Sequence, residues 1–203
     1  MGEQKLLGNV KQGLLFVLSA PAGTGKTTLV RRLVSEFPCI IQAVSLTTRR
    51  MRPGEVEGRD YFFVTEEEFV QRMQNNDFLE YANVFGDRYG TTKDFVDENL
   101  AKGKHVFLVI DTQGALQIKA TIPSILIFLH PPSIEELRIR LAKRQTESPK
   151  AIEKRISAAL EELSLAKEYD YKIMNDDFEI AYEVLKSIVI AEEHRIKFYQ
   201  LCK

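Results

Sequence analysis

Leu14-Leu15-Phe16-Val17-Leu18-Ser19, then Ala20-Pro21-Ala22-Gly23-Thr24-Gly25-Lys26-Thr27, then Thr28-Leu29-Val30, is the stretch that decides the fold of this chain. A short apolar run of the kind covered on both faces enters a small glycine-containing turn. Beyond the turn, Leu29, Val30, Leu33, Val34 and Phe37 recur at helical spacing, and Pro38 closes the segment. Gly23 and Gly25 tolerate positive φ and permit close approach, so the turn can aim several backbone N–H groups at one point. Such a strand–turn–helix unit is built to wrap the phosphates of a nucleotide. Lys26 would supply a point charge for the outer phosphates, and Thr27 a hydroxyl for Mg²⁺. The strict pattern has glycine where this chain has Ala20, at the start of the loop, where a methyl group can be tolerated. Gly-Lys-Thr alone is a weak signal, and the plainer alternative is a glycine-rich turn with an exposed lysine. The strand before it and the helix after it favour the phosphate loop.

Outward from that loop, strand-like runs recur at 40–46, 78–85, 105–111, 125–130 and 171–175, with helical patterns between most of them. Thr65-Glu66-Glu67-Glu68 and Ser133-Ile134-Glu135-Glu136 are capping boxes that open helices running to about Gln74 and Arg144. Ser148-Pro149 places a cap residue and a first-turn proline before a helix over 150–167. The last helix carries Ile180, Tyr182, Val184, Leu185, Ile188, Val189 and Ile196 on a broad apolar stripe. Alternation of strands and helices predicts an α/β fold, a parallel sheet with helices on both faces. Two regions break the rhythm. Residues 46–95 read as short strands, polar turns and brief helices, and residues 138–155 are packed with arginine and lysine. Both have the character of insertions that could enclose a substrate.

Composition narrows the function classes. A chain of 203 residues with 44% apolar content can bury a sizeable core as one domain. A formal net charge of −1 argues against bulk nucleic-acid binding, which needs a basic surface. Cys39 and Cys202 are too few for a disulfide framework, and His105, His130 and His194 are too scattered for a zinc motif. No apolar run has the length of a membrane span or the form of a signal peptide, so the expected location is the cytoplasm. Gly2 does not open a myristoylation pattern, because Leu6 stands where that pattern wants Ser or Thr.

The stretch from Ser45 through Thr48-Arg49-Arg50-Met51-Arg52 to Tyr61 is dense in groups that grip an oxyanion. Arg49 and Arg52, with hydroxyls before them and a tyrosine after, can hold a monophosphate by forked charge-assisted bonds. A solvated basic turn before a hairpin is the alternative. Downstream, Glu80-Tyr81-Ala82-Asn83-Val84-Phe85-Gly86-Asp87-Arg88-Tyr89-Gly90-Thr91 offers an acceptor carboxylate and a hydroxyl. A guanine edge, with N1–H and N2–H₂ donors and an O6 acceptor, requires that pair, whereas adenine would leave Glu80 unpaired.

With these motifs in this order, the chain resembles the guanylate kinase family over about residues 13–198. The resemblance implies an ATP:GMP phosphotransferase of purine nucleotide metabolism and GMP recycling, dependent on Mg²⁺ carried with ATP. It implies a single domain: a three-layer P-loop kinase core (13–44, 96–137 and 156–203), a GMP-binding subdomain (45–95) and a helical lid (138–155). By motif, Ala20, Pro21, Ala22, Gly23, Thr24, Gly25, Lys26 and Thr27 would hold the ATP phosphates, with Thr27 on Mg²⁺ and Asn175 near the adenine. Ser45, Arg49, Arg52, Tyr61 and Tyr89 would hold the GMP phosphate, and Glu80 and Thr91 would read the guanine. Asp111 would lie near the GMP and metal site; a helix-capping residue at a strand end is the other reading of it. Lys26, Arg49, Arg144 and Arg155 would carry the catalytic charge, with Arg140 a further lid candidate.

Ala20 is found at that loop position in similar bacterial sequences. The family often carries Asp-Ile-Asp where this chain has Val109-Ile110-Asp111, and a glycine after the lid arginine where this chain has Gln145. The expected partners are ATP and GMP, with dGMP open as an acceptor, and no nucleic acid, membrane or obligate protein partner. The rivals are a P-loop kinase for AMP, CMP, UMP or a non-nucleotide acceptor, and a peptide-binding domain of the same fold that has lost catalysis. Such domains usually have a degraded phosphate loop, which this chain does not.

Overall fold

The strand that leads into the phosphate loop, β1 (Leu15–Ser19), is buried at every residue and so needs cover on both faces. The computed structural model describes residues 5–143 and 149–196. In chain order β1 is followed by α1 (Lys26–Glu36), β2 (Ile40–Gln42), β3 (Leu46–Thr47), β4 (Phe62–Phe63), α2 (Glu66–Gln74), β5 (Phe78–Val84), β6 (Asp87–Thr92) and α3 (Lys93–Ala101). Then come β7 (His105–Ile110), α4 (Thr112–Thr121), β8 (Ile125–His130), α5 (Ile134–Lys143), α6 (Pro149–Ser164), a 3₁₀ turn (Leu165–Glu168), β9 (Tyr171–Met174) and α7 (Phe178–Glu193).

Five strands in the order β2-β7-β1-β8-β9, all parallel, make the central sheet. Phe16 and Leu18 of β1 pack with Leu29 and Leu33 of α1 and Tyr182, Leu185 and Val189 of α7. Leu15 and Val17 pack on the opposite face with Val96 of α3 and Ala115 and Ile118 of α4. This gives the expected three layers, and each fully buried side chain of this size contributes about 1.5–3 kcal/mol. β1 sits between β7 and β8, so the crossovers diverge at its carboxyl end and leave a crevice there.

A second sheet, β4-β3-β6-β5, is inserted between β2 and α3 and has its own apolar contacts among Leu46, Phe69 and Phe78. Residues 40–46, expected as one strand, are divided. Ile40–Gln42 pairs with β7 in the central sheet, whereas Leu46–Thr47 pairs with β6 and β4 in the second. Of the capping boxes, Thr65 accepts from Glu68 N at 3.1 Å, and Ser133 accepts from Glu136 N at 3.0 Å. α5 and α6 pack through Leu137, Leu141, Ile156 and Ala159 over the phosphate loop, where a side chain at Gly23 would meet Leu141 at 3.2 Å. Among the described residues no helix is long and apolar enough to cross a membrane.

The end of α7 is tied to the opening segment by one buried carboxylate. Glu193 accepts from Gly8 N (2.7 Å), Asn9 N (3.0 Å) and Asn9 Nδ2 (3.0 Å). It also accepts from His105 Nε2 at 2.6 Å; His105 Nδ1 takes the Leu14 N–H, so Nε2 carries the proton. Burial opposes ionisation, but these four donors hold the Glu193 carboxyl down at about 2. Its stabilisation is therefore complete above the ordinary glutamate value and is lost as pH falls through the range toward 2. Glu193→Gln should lower stability at pH 7 by about 2 kcal/mol, or about 4–8 °C in melting temperature. The gap from the parent chain should close below pH 4; a constant gap from pH 7 to pH 3 would contradict this.

Candidate active site

The loop after β1 is shaped by two left-handed glycines, Gly23 (φ 92°) and Gly25 (φ 97°), the second of which caps α1. Thr24 closes the turn internally, its hydroxyl donating to Pro21 O at 2.7 Å. Lys26, the first residue of α1, folds back so that Nζ donates to Ala20 O and, at 3.5 Å, to Pro21 O. Thr27 stands exposed beside it in the first helical turn. The N-terminal N–H groups of α1 have no intrahelical acceptors, so the loop is an anion site with a cation at its rim. Asn175 braces the loop from behind. It is 6% exposed, its Nδ2 donates to Thr24 O at 2.5 Å, and it does not line the cleft.

Facing the loop across a cleft of about 410 Å³ is the second sheet. Arg49 is almost fully enclosed and held at three points: Nε to Tyr89 OH (3.1 Å), Nη1 to Arg50 O (2.7 Å) and Nη2 to Glu55 Oε1 (2.7 Å). A guanidinium has five donors, so two remain to meet a ligand. The Tyr61 ring lies 5.4 Å from its Cζ and makes an edge contact with Tyr89. Arg52 is exposed at the cleft margin, with its backbone N–H on Glu55 Oε2 at 2.8 Å. Ser45 also lines the cleft.

Glu80 is a buried carboxylate of that wall, only 3% exposed. Its Oε1 accepts from the Thr91 hydroxyl at 2.7 Å, and Thr91 is within 3.2 Å of Ser45 Oγ. A side chain at Gly114 would fall 2.4 Å from Glu80 Oε2, so glycine is what admits this carboxylate against α4. Burial pushes Glu80 up to about 7, against the Thr91 hydrogen bond, which pulls the other way.

Asp111 is both a cap and a cleft residue. It is the N-cap of α4, with Oδ1 accepting from Gly114 N at 2.9 Å, and it borders the cleft between the loop and Glu80. Burial raises its carboxyl, opposed by the Gly114 N–H. From α6, Arg155 reaches the cleft margin, its Cζ 5.0 Å from the centre of the Phe85 ring at the tip of the β5–β6 hairpin. Arg140 bonds Glu136 Oε1 (2.8 Å) and Asn175 O (3.2 Å). Arg144 lies outside the described residues.

The structure thus brings together around one cleft Ala20, residues 22–27, Ser45, Arg49, Arg52, Tyr61, Glu80, Tyr89, Asp111 and Arg155, with Thr91 directly behind Glu80. Pro21, like Asn175, supports the loop without lining the cleft. Sequence reasoning missed Glu55, whose carboxylate aligns Arg49, and Gly114. It also missed Glu162, which lines the cleft two helical turns after Arg155 on the same face of α6; that seven-residue spacing was its signal.

No group of three or more His, Cys, Asp or Glu residues that could hold a metal ion occurs among the described residues. A hydroxyl at Thr27, a carboxylate at Asp111 and an adjacent phosphate site nevertheless suit Mg²⁺, which prefers one or two protein oxygens with substrate phosphates and water.

The guanylate kinase family profile matches residues 12–192. The chain is 54% identical over 189 residues to a guanylate kinase of Protochlamydia amoebophila, spanning 93% of this chain and 96% of that one. It is 50% identical over 182 residues to that of Chlamydia felis, 89% of each chain. A crystal structure of guanylate kinase from Anaplasma phagocytophilum superposes with a TM-score of 0.79 at 35% identity, covering 93% of this chain and 90% of the other.

Proposed function

The chain belongs to the guanylate kinase family, and from that premise we propose how its cleft moves the γ-phosphoryl group of ATP to GMP, giving ADP and GDP. The observation that carries the reading is the buried Glu80–Thr91 pair looking across one cleft at the phosphate loop. ATP lays its phosphates in the loop of residues 20–27, with Lys26 near the β and γ groups and Thr27 on Mg²⁺. Bound Mg²⁺ supplies neutralisation of charge on the phosphate oxygens. Asn175 serves the ATP site through the Thr24 carbonyl. GMP enters opposite, its base on Glu80 and Thr91 and its phosphate on Ser45, Arg49, Arg52, Tyr61 and Tyr89, with Asp111 between the two sites. We assign the second sheet and its loops, residues 45–95, as the GMP-binding subdomain and residues 138–155 as the lid.

In this arrangement a GMP phosphate oxygen forms the new bond to Pγ while the bond from Pγ to the β,γ-bridging oxygen breaks, and ADP departs. The nucleophile is already ionised at neutral pH, so no general base is required. Catalysis is placement and charge neutralisation. Arg155 would turn from Phe85 toward the phosphates as the lid closes and expels water.

Arg49→Lys tests the acceptor half. Lysine keeps the charge but not the planar fork, so kcat/KM for GMP should fall by about tenfold to a hundredfold. Affinity for an ATP analogue, read by calorimetry, should not change. Equal losses for GMP and the ATP analogue would remove Arg49 from the GMP phosphate site.

A further inference from the structure

Helix α6 carries into the cleft, beyond the lid residues, a carboxyl group that none of the roles above uses. Glu162 Oε2 is buried and has no hydrogen-bond partner. The hydroxyl of Tyr169, just after α6 and its 3₁₀ turn, is also buried, with the Ser19 hydroxyl as its neighbour. Glu162 feels the charges of Lys26 and Asp111, and Tyr169 those of Glu162 and Asp111 with the Ser19 hydroxyl beside it. Glu162 shares the cleft with Ala20 and Lys26, and Tyr169 neighbours Ser19, so both side chains lie toward the carboxyl end of β1, where the phosphate loop begins. A buried carboxylate oxygen left without a partner is costly, so Glu162 Oε2 marks a place where something polar is bound.

On the sheet side of the same cleft the carboxylate offered to a cation is that of Asp111. β7 ends in Val109 and Ile110, which line the cleft with hydrocarbon, and the Asp111 carboxylate is partly spent on the Gly114 N–H. Glu162 lines the same cleft from α6, near enough to Lys26 to feel its charge.

The geometry points to Glu162 as a positioning residue for the metal ion carried by the donor nucleotide, acting through ordered water that Tyr169 helps to fix. This rests on the reading that ATP occupies the phosphate loop. Mg²⁺ keeps several of its waters when bound with phosphates, and those waters need acceptors. A carboxylate serves that need, and a neighbouring hydroxyl can fix the same water.

The test is to titrate the full chain with the non-hydrolysable analogue AMPPNP, with and without Mn²⁺, by calorimetry, and to follow free Mn²⁺ by electron paramagnetic resonance. Glu162→Gln, which keeps the shape of the side chain, should leave metal-free AMPPNP affinity at the parent level. It should weaken Mn²⁺ binding to the nucleotide complex by about 10–100-fold. Glu162→Asp, which keeps the charge, should lose less. Unchanged Mn²⁺ affinity in Glu162→Gln would overturn the inference. So would an equal loss with and without metal, which would make Glu162 a partner of Lys26 instead. A parent chain that binds AMPPNP with neither condition would overturn the donor-site reading itself, and this inference with it.

Discussion

Lys26→Ala should cut kcat for GDP formation by about 10³-fold while the chain stays folded. The size follows from where the ammonium sits. It is the first residue of α1, at the rim of the loop, and its amine spans the Ala20 and Pro21 carbonyls. As charge migrates toward the β,γ-bridging oxygen, an ammonium held there stabilises the transition state more than the ground state. Alanine cannot replace it, and water in that position lacks the charge. The fold should survive because Gly23, Gly25 and the Thr24–Pro21 bond shape the loop independently of the lysine. The melting temperature should move by no more than a few degrees, while kcat collapses. A variant retaining a tenth or more of the parent kcat would contradict the role assigned to Lys26.

Glu80→Gln should lower kcat/KM for GMP by about 10²–10³-fold and erase most of the preference for GMP over AMP. The carboxylate can accept from both N1–H and N2–H₂ of guanine, whereas the glutamine amide turns a donor toward a donor. Discrimination arises from burial: at 3% exposure an unpaired carboxylate cannot recover its loss from water. The same burial pushes its free value up to about 7. Two guanine donors favour the ionised form and draw that value down, so GMP binding releases a proton and should tighten from pH 6 to pH 8 before levelling off. In Glu80→Gln the GMP affinity should be flat between pH 7 and pH 8, above the range near pH 6 in which the GMP phosphate itself titrates. A pH-dependent affinity that persists in the variant would locate the titrating group elsewhere.

The phosphate loop and central sheet were legible because their signals are local: an apolar run, two glycines with a job, and capping boxes that close within four residues. The division of residues 40–46 was not. An apolar run shows strand character, not which sheet it joins, and the partners of Ile40 and Leu46, His105 and Gly90, lie far along the chain. β6 was hidden for a related reason. Gly-Asp-Arg-Tyr-Gly reads as a turn, yet Gly90 is needed in the strand because a Cβ there would meet the Phe78 ring at 2.8 Å. Arg49, Glu80 and Thr91 were legible as residue types suited to a monophosphate and a guanine edge. The Glu55 clamp on Arg49 was not, since an exposed polar loop has no period that predicts which carboxylate turns inward. Glu162 was masked by its own helix, where a charged residue ordinarily faces solvent.

Choice of acceptor by its base follows from one cleft that sets an ATP phosphate loop against a wall that reads guanine. Steady-state formation of nucleoside diphosphate by the purified chain, with ATP and each of GMP, AMP, CMP and UMP as acceptor, tests it most directly. The kcat/KM for GMP should be at least about 10³-fold above that for AMP, as expected of a site whose buried acceptor has no partner on adenine. Comparable values for AMP and GMP would contradict it.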